Sequence, residues 1–97
     1  MTNSTNKTTV VFRKESGGGI LAIFPYDIYN WQGDMTGYSH IGQTCRVSKG
    51  YYTESTKKAY PMEYDRLLKE LESQGYDLEV RQQIRWEKVK DELNRII

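Results

Sequence analysis

The segment Tyr38 to Arg46, YSHIGQTCR, holds the only histidine and the only cysteine of the chain. An imidazole and a thiol make a nucleophilic pair when the ring lies within hydrogen-bond reach of the sulfur and an orienting group and oxyanion donors stand nearby. The spacing argues against such a pair. Five residues of extended chain separate His40 from Cys45 by about 16 Å at roughly 3.3 Å per residue, so only a tight turn at Gly42 would join them. Ser39 and His40 are no better placed, because adjacent strand residues point to opposite faces. A structural zinc needs about four ligands, and no C-x-x-C or H-x-x-x-H spacing supplies them. Asp27 and Asp34 match no cation-binding loop. These residues imply no catalytic group, no metal and no cofactor, and so a protein that is not an enzyme.

Binding suits the same residues better. On one face of a strand, Tyr38 and His40 present a stacking ring and a polar ring, and Gly42 lets a ligand or another backbone approach closely. Gln43 offers a donor and an acceptor, and Arg46 can meet a phosphate or carboxylate. Tyr26 and Trp31 are the expected walls. Nine of the twelve aromatic residues fall between Phe24 and Tyr64, whereas only Asp27, Asp34, Arg46 and Lys49 are charged between Pro25 and Thr53. An aromatic, lightly charged surface of this kind is typical of interface cores and of pockets for planar ligands. The competing explanation is that the tyrosines pack a small core with their hydroxyls at its rim.

The elements that must position these residues can be read from periodicity. Residues 1–9 are polar and predict a flexible tail without a signal-peptide core. VVFRK at 10–14 and ILAIF at 20–24, separated by a glycine-rich connection, predict a β-hairpin. No Gly-Lys-Ser/Thr follows the three glycines, so they are a turn and not a phosphate cradle. Pro25 is expected to close the second strand, and the alternation around Tyr38 to Gly42 suits a third. Pro61, Glu63 and the spacing of Tyr64, Leu67, Leu68 and Leu71 predict a helix over 61–74 that stops at Gly75. Tyr76, Leu78 and Val80 alternate with Asp77, Glu79 and Arg81 as a strand does, with Ile84 in the same parity. Finally, Trp86, Val89, Leu93, Ile96 and Ile97 form one side of a C-terminal amphipathic helix. It is either a lid on the same domain or a docking helix that makes a homo-oligomer through residues 85–97. The expected fold is α+β: an antiparallel sheet of about four strands covered by one helix over residues 10–84, plus the helix at 85–97.

At 97 residues the chain suits one domain with a small stability margin. Its 14 basic and 13 acidic side chains nearly cancel, which disfavours a general nucleic-acid binder. A single cysteine suits the reducing cytoplasm, and no run of transmembrane length occurs.

The order VVFRK, GGILAIFP, YSHIGQ and EYDRLLKELESQGYDLEV resembles a family of small bacteriophage and mobile-element proteins with no assigned activity. The resemblance covers roughly residues 10–81 and implies a genetic setting, in the host cytoplasm, and not a reaction. In that family another histidine often follows the glutamine. Thr44 stands there in this chain, so a role needing two imidazoles is not implied. The function expected is that of an accessory protein acting by binding: a host-factor inhibitor or anti-defence protein, or one that sequesters a nucleotide-like ligand. The alternatives are a regulatory module that binds nucleic acid, through Arg13, Lys14, Arg46, Lys49, Lys57 and Lys58, and a minor structural component of a virion.

Overall fold

A computed structural model of the chain describes residues 7–39 and 43–96. His40, Ile41 and Gly42 lie outside the described residues, as do residues 1–6 and 97. The strands β1 (Thr8–Glu15), β2 (Ile20–Ile28), β3 (Met35–Ser39) and β4 (Thr44–Val47) run as an antiparallel meander. Helix α1 (Lys49–Ser55) then leads to β5 (Thr56–Lys58), which pairs antiparallel with the second half of β1. Helix α2 (Pro61–Ser73) leads to β6 (Leu78–Arg81), which pairs with the first half of β1 in parallel, and α3 (Trp86–Ile96) completes the fold. The protein is α+β, and its sheet is antiparallel except at β6.

Six strands form where about four were expected, and helices lie on both faces where one was expected. The physical reason lies in β1 and β2. Val10, Phe12, Ala22 and Phe24 face one way and pack with Leu67 and Leu71 of α2. Val11, Leu21 and Ile23 face the other and pack with Met35, Val47, Ile84 and Val89 of α3. Continuous apolar runs of this kind belong to strands that are covered on both sides. The apolar stripe of α3 is therefore used on its own sheet, as in the lid alternative; among the described residues of the stripe only Ile96 is well exposed.

Local chemistry accounts for the boundaries. The β1–β2 turn closes through Glu15 N–H to Gly19 O at 2.8 Å, with Gly18 at φ +93, a conformation that costs glycine no Cβ clash. Thr8 and Thr9, expected in the tail, belong to β1 because β6 supplies their pairing partners. Pro25, expected to end β2, lies inside it, where the register with β3 shifts between Phe24 and Ile28. A bulge is where a residue without an N–H is tolerated in a strand. In α2, Pro61 needs no N–H partner and Glu63 Oε1 accepts from Tyr60 N–H at 3.0 Å. The helix ends in a Schellman pattern, with Gly75 N–H on Glu72 O and Tyr76 N–H on Leu71 O. Ile84 departs from the predicted parity, because the strand stops at Arg81 and the chain turns toward α3. Among the described residues no helix is long and apolar enough to cross a membrane.

Helix α1 starts at Ser48, whose Oγ accepts from Tyr51 N–H at 3.0 Å. Tyr52 of the same helix packs toward the α3 face, edge-on to Trp86. The Tyr51 hydroxyl donates to Glu15 at the end of β1. That bond, followed by partial burial, pushes the Tyr51 pKa up from 10.0 to about 12. The neutral hydroxyl stabilises the fold fully below the ordinary tyrosine range, and this contribution is lost as pH rises through the folded value. Alkaline titration followed by tyrosinate absorbance is expected to show Tyr51 ionising late, and Glu15→Gln is expected to move that hydroxyl back to the ordinary range. Unchanged titration in that variant would mean the contact does not hold in solution.

Candidate functional site

The sequence from Arg81 to Lys90, RQQIRWEKVK, carries Arg81, Arg85, Lys88 and Lys90 against the single acid Glu87. Topology gathers part of this charge into a hollow. Leu78 and Val80 face α2, so Glu79 and Arg81 of the same strand face the opposite side, over which α3 packs. The parallel register sets Thr9 beside Glu79. Tyr26 reaches this side because the bulge in β2 reverses the parity that Phe24 would otherwise impose. Its hydroxyl accepts from Arg85 N–H at 3.0 Å, which fixes the start of α3 against the sheet.

The result is a groove of about 500 Å³ lined by Thr9, Tyr26, Glu79, Arg81, Gln82, Gln83, Arg85 and Lys88. Arg81 donates to Glu79 at 2.9 Å, so these two charges largely neutralise each other. Lys88 Nζ lies 4.5 Å from the centre of the Tyr26 ring and forms no ion pair among the described residues. Arg85 has none either. Beside the N-terminal end of α3, where the helix dipole adds partial positive charge, the groove thus keeps two cations that form no ion pair among the described residues. Lys88 also borders a neighbouring hollow that holds Asp27 and Glu92. Gln82 and Gln83 supply carboxamides that donate and accept. Chemically, this arrangement suits a small anion that also carries hydrogen-bonding groups.

Of the five described residues among the six expected to form a site, the structure brings only Tyr26 to this groove. Tyr38 lies on the opposite face, 7% exposed, in the cluster under α2. Its hydroxyl donates to Glu70 Oε2 at 2.8 Å and accepts from Gln74 Nε2 at 2.8 Å. It is the core tyrosine with a hydroxyl at the rim that the competing explanation describes. Arg46 shares the α2 side of the sheet with Tyr38, since Thr36 pairs with Arg46 and Tyr38 with Thr44. Its guanidinium is exposed and lies 3.7 Å from Asp34. Gln43 is exposed, and its backbone oxygen accepts from Ser39 N–H at 3.0 Å. Trp31, 79% exposed, stands at the tip of the β2–β3 loop, which Asn30 holds through bonds to Gln32 N–H and Asp34 N–H. His40 lies outside the described residues, so its distance from Cys45 is not part of the geometry.

Cys45 packs half-buried against the α3-side cluster, and burial followed by the nearby Glu15 charge pushes its pKa up. A thiol held protonated is the opposite of an activated nucleophile. Among the described residues no group of three or more histidine, cysteine, aspartate or glutamate side chains is placed to hold a metal.

The groove residues Arg81, Gln82, Gln83, Arg85 and Lys88 escape a reading that follows apolar periodicity alone. The signal that finds them is the local excess of cations in RQQIRWEKVK, hidden by a net charge of +1 for the whole chain. No protein-family model matches the chain, and no curated protein or solved structure matches it either, so the reading of this site rests on its own residues.

Proposed function

We propose that the protein acts by binding, and that its groove between β6, Tyr26 and α3 takes a small anionic ligand of nucleotide-like chemistry. The observation that carries this reading is the pair of cations without an ion pair among the described residues, Arg85 and Lys88, in a hollow whose size suits such a ligand. Phosphate oxygens would meet these cations through charge-assisted hydrogen bonds, and the carboxamides of Gln82 and Gln83 would meet the ligand's polar edges. The resemblance to phage and mobile-element proteins gives the setting: an accessory factor that sequesters a host or defence-related small molecule.

The test is thermal unfolding and calorimetry with ADP and with pyrophosphate as probes. At about one hundred times Kd a ligand stabilises the folded state by about 2.7 kcal/mol, which raises Tm by roughly 10–20 °C in a domain of this size. Arg85→Glu with Lys88→Glu is expected to weaken binding at least about tenfold, because each charge-assisted bond contributes about 1.5–3 kcal/mol. Both side chains are exposed, so the variant should keep its Tm without ligand. Absence of any shift with either probe, or equal binding by the double variant, would overturn the assignment.

A further inference from the structure

A second surface, remote in sequence from the groove residues of β6 and α3, has the features of a strand-edge docking site. Among the described residues strand β5 has a strand neighbour only on its β1 side, so one edge of Thr56–Lys58 has no described strand beside it. Three hollows meet at this corner. One of about 420 Å³ is lined by Lys14, Lys57, Lys58, Tyr60, Met62 and Glu63. A second, of about 340 Å³, continues past Met62 to Gly18 and Arg66, and a third, of about 280 Å³, runs from Lys57 to Glu54. Met62 is 90% exposed at the centre of the corner, and Tyr60 is 56% exposed beside it.

We propose that this corner docks an extended acidic segment of a partner protein, which adds to β5 as a further strand and seats an apolar side chain against Met62. Successive residues of a strand point to opposite faces, so Lys57 and Lys58 place one ammonium group on each side of the open edge. An incoming strand with adjacent acidic residues meets both. The acids already in the corner are partly engaged: Glu63 accepts from Lys14 Nζ at 2.7 Å, and Glu15 accepts from the Tyr51 hydroxyl. Glu54 lies toward the Thr56 end and orients the acidic part of the segment toward Lys57 and Lys58. A second copy of this chain is disfavoured as the occupant, because pairing two such edges brings four lysines together. A nucleic acid would use the cations but has no use for an open strand edge, which makes backbone pairing with a peptide the better match.

The probe is a capped heptapeptide in which a central leucine stands between two glutamate pairs, Val-Glu-Glu-Leu-Glu-Glu-Val, so that acids face both sides of the edge. Its controls are the same peptide with lysine for every glutamate, the same peptide N-methylated at alternate backbone nitrogens, and single-stranded oligothymidylate. Binding is read by calorimetry and by amide shifts in 15N-labelled protein. With so short a strand the expected Kd is about 100 µM, with shifts centred on Lys57, Lys58 and Met62. Lys57→Glu with Lys58→Glu is expected to weaken binding at least tenfold, and Met62→Ser at least threefold. Arg85→Glu with Lys88→Glu should leave it unchanged, which separates this surface from the groove. Since Met62 is solvent-exposed, Met62→Ser keeps the test decisive even where the charge reversal disturbs folding. The proposal is overturned by equal binding of the lysine or N-methylated peptide, by tighter binding of oligothymidylate, or by no binding of the acidic peptide at all.

Discussion

Leu71→Ala is expected to lower the free energy of unfolding by about 3 kcal/mol, whereas Met62→Ala in the same helix should change it by less than about 0.5 kcal/mol. The contrast follows from where α2 places the two side chains. Leu71 is fully buried among Val10, Phe12, Ala22, Phe24 and Leu67, and truncation removes its transfer free energy and leaves a cavity that strands on a six-stranded sheet cannot collapse to fill. Met62 sits near the start of the helix with almost its whole surface in water. In a domain of this size the Leu71 change corresponds to a fall in Tm of roughly 12–24 °C. Urea unfolding with the slope held in common between variants measures both differences. A Leu71 effect below about 1 kcal/mol would mean that α2 is not seated on the sheet as described.

That helix was legible because every level of its sequence agrees. Proline and glutamate mark its start, the leucines recur at helical spacing, and Gly75 has the positive φ that stops it. The β1–β2 hairpin was legible for the same reason. Helix α1 and strand β5 were not. Gly50, Thr53 and Ser55 are weak helix formers, and the seven residues of α1 are held by the Ser48 cap and by Tyr52 packing against Trp86. The three residues of β5 are too few for alternation to register, and they exist as a strand because β1 presents Arg13, Lys14 and Glu15 as partners. Arg13 strengthens that pairing by donating from Nε to Thr56 Oγ1 and from Nη2 to Thr56 O, both at 2.9 Å.

The candidate site was less legible than the fold, and the cause is again specific. Clustering of aromatic residues in sequence does not determine which face of the sheet each one joins. Tyr38 and Tyr26 differ by an even number of positions and belong to paired strands, yet they lie on opposite faces, because the bulge after Phe24 shifts the parity of β2. An irregularity that sets four steps of β2, Phe24 to Ile28, against the single step from Thr36 to Met35 cannot be read from apolar alternation alone, although Pro25 marks the place where a ladder bond is missing. Arg85 and Lys88 come to line one groove only when the turn after Arg81 brings α3 back across Tyr26.

Gly37→Ala is expected to destabilise the protein by about 2–3 kcal/mol, at the upper end of what overpacking usually costs. Elsewhere in a strand the same substitution would help, since alanine loses less conformational entropy on folding than glycine by roughly 0.5–1 kcal/mol. At this position steric overlap decides the sign. A Cβ on Gly37 would lie 2.6 Å from Val47 Cγ2, 3.0 Å from Cys45 Sγ and 3.3 Å from Leu21 Cδ1. Val47 is itself buried, and its branched side chain has few rotamers to yield to. The glycine therefore lets β3 carry β4 and the second core layer at close approach, and its backbone needs no unusual φ to do so. Combining Gly37→Ala with Val47→Ala removes the closest clashing methyl, so the two changes should couple favourably by at least about 1 kcal/mol in a double-mutant cycle. Strict additivity would instead mean that β4 moves away as a unit when Gly37 is filled. In that case the cost would be lost strand pairing, and amide exchange would rise along Thr44–Val47 rather than stay local to the contact.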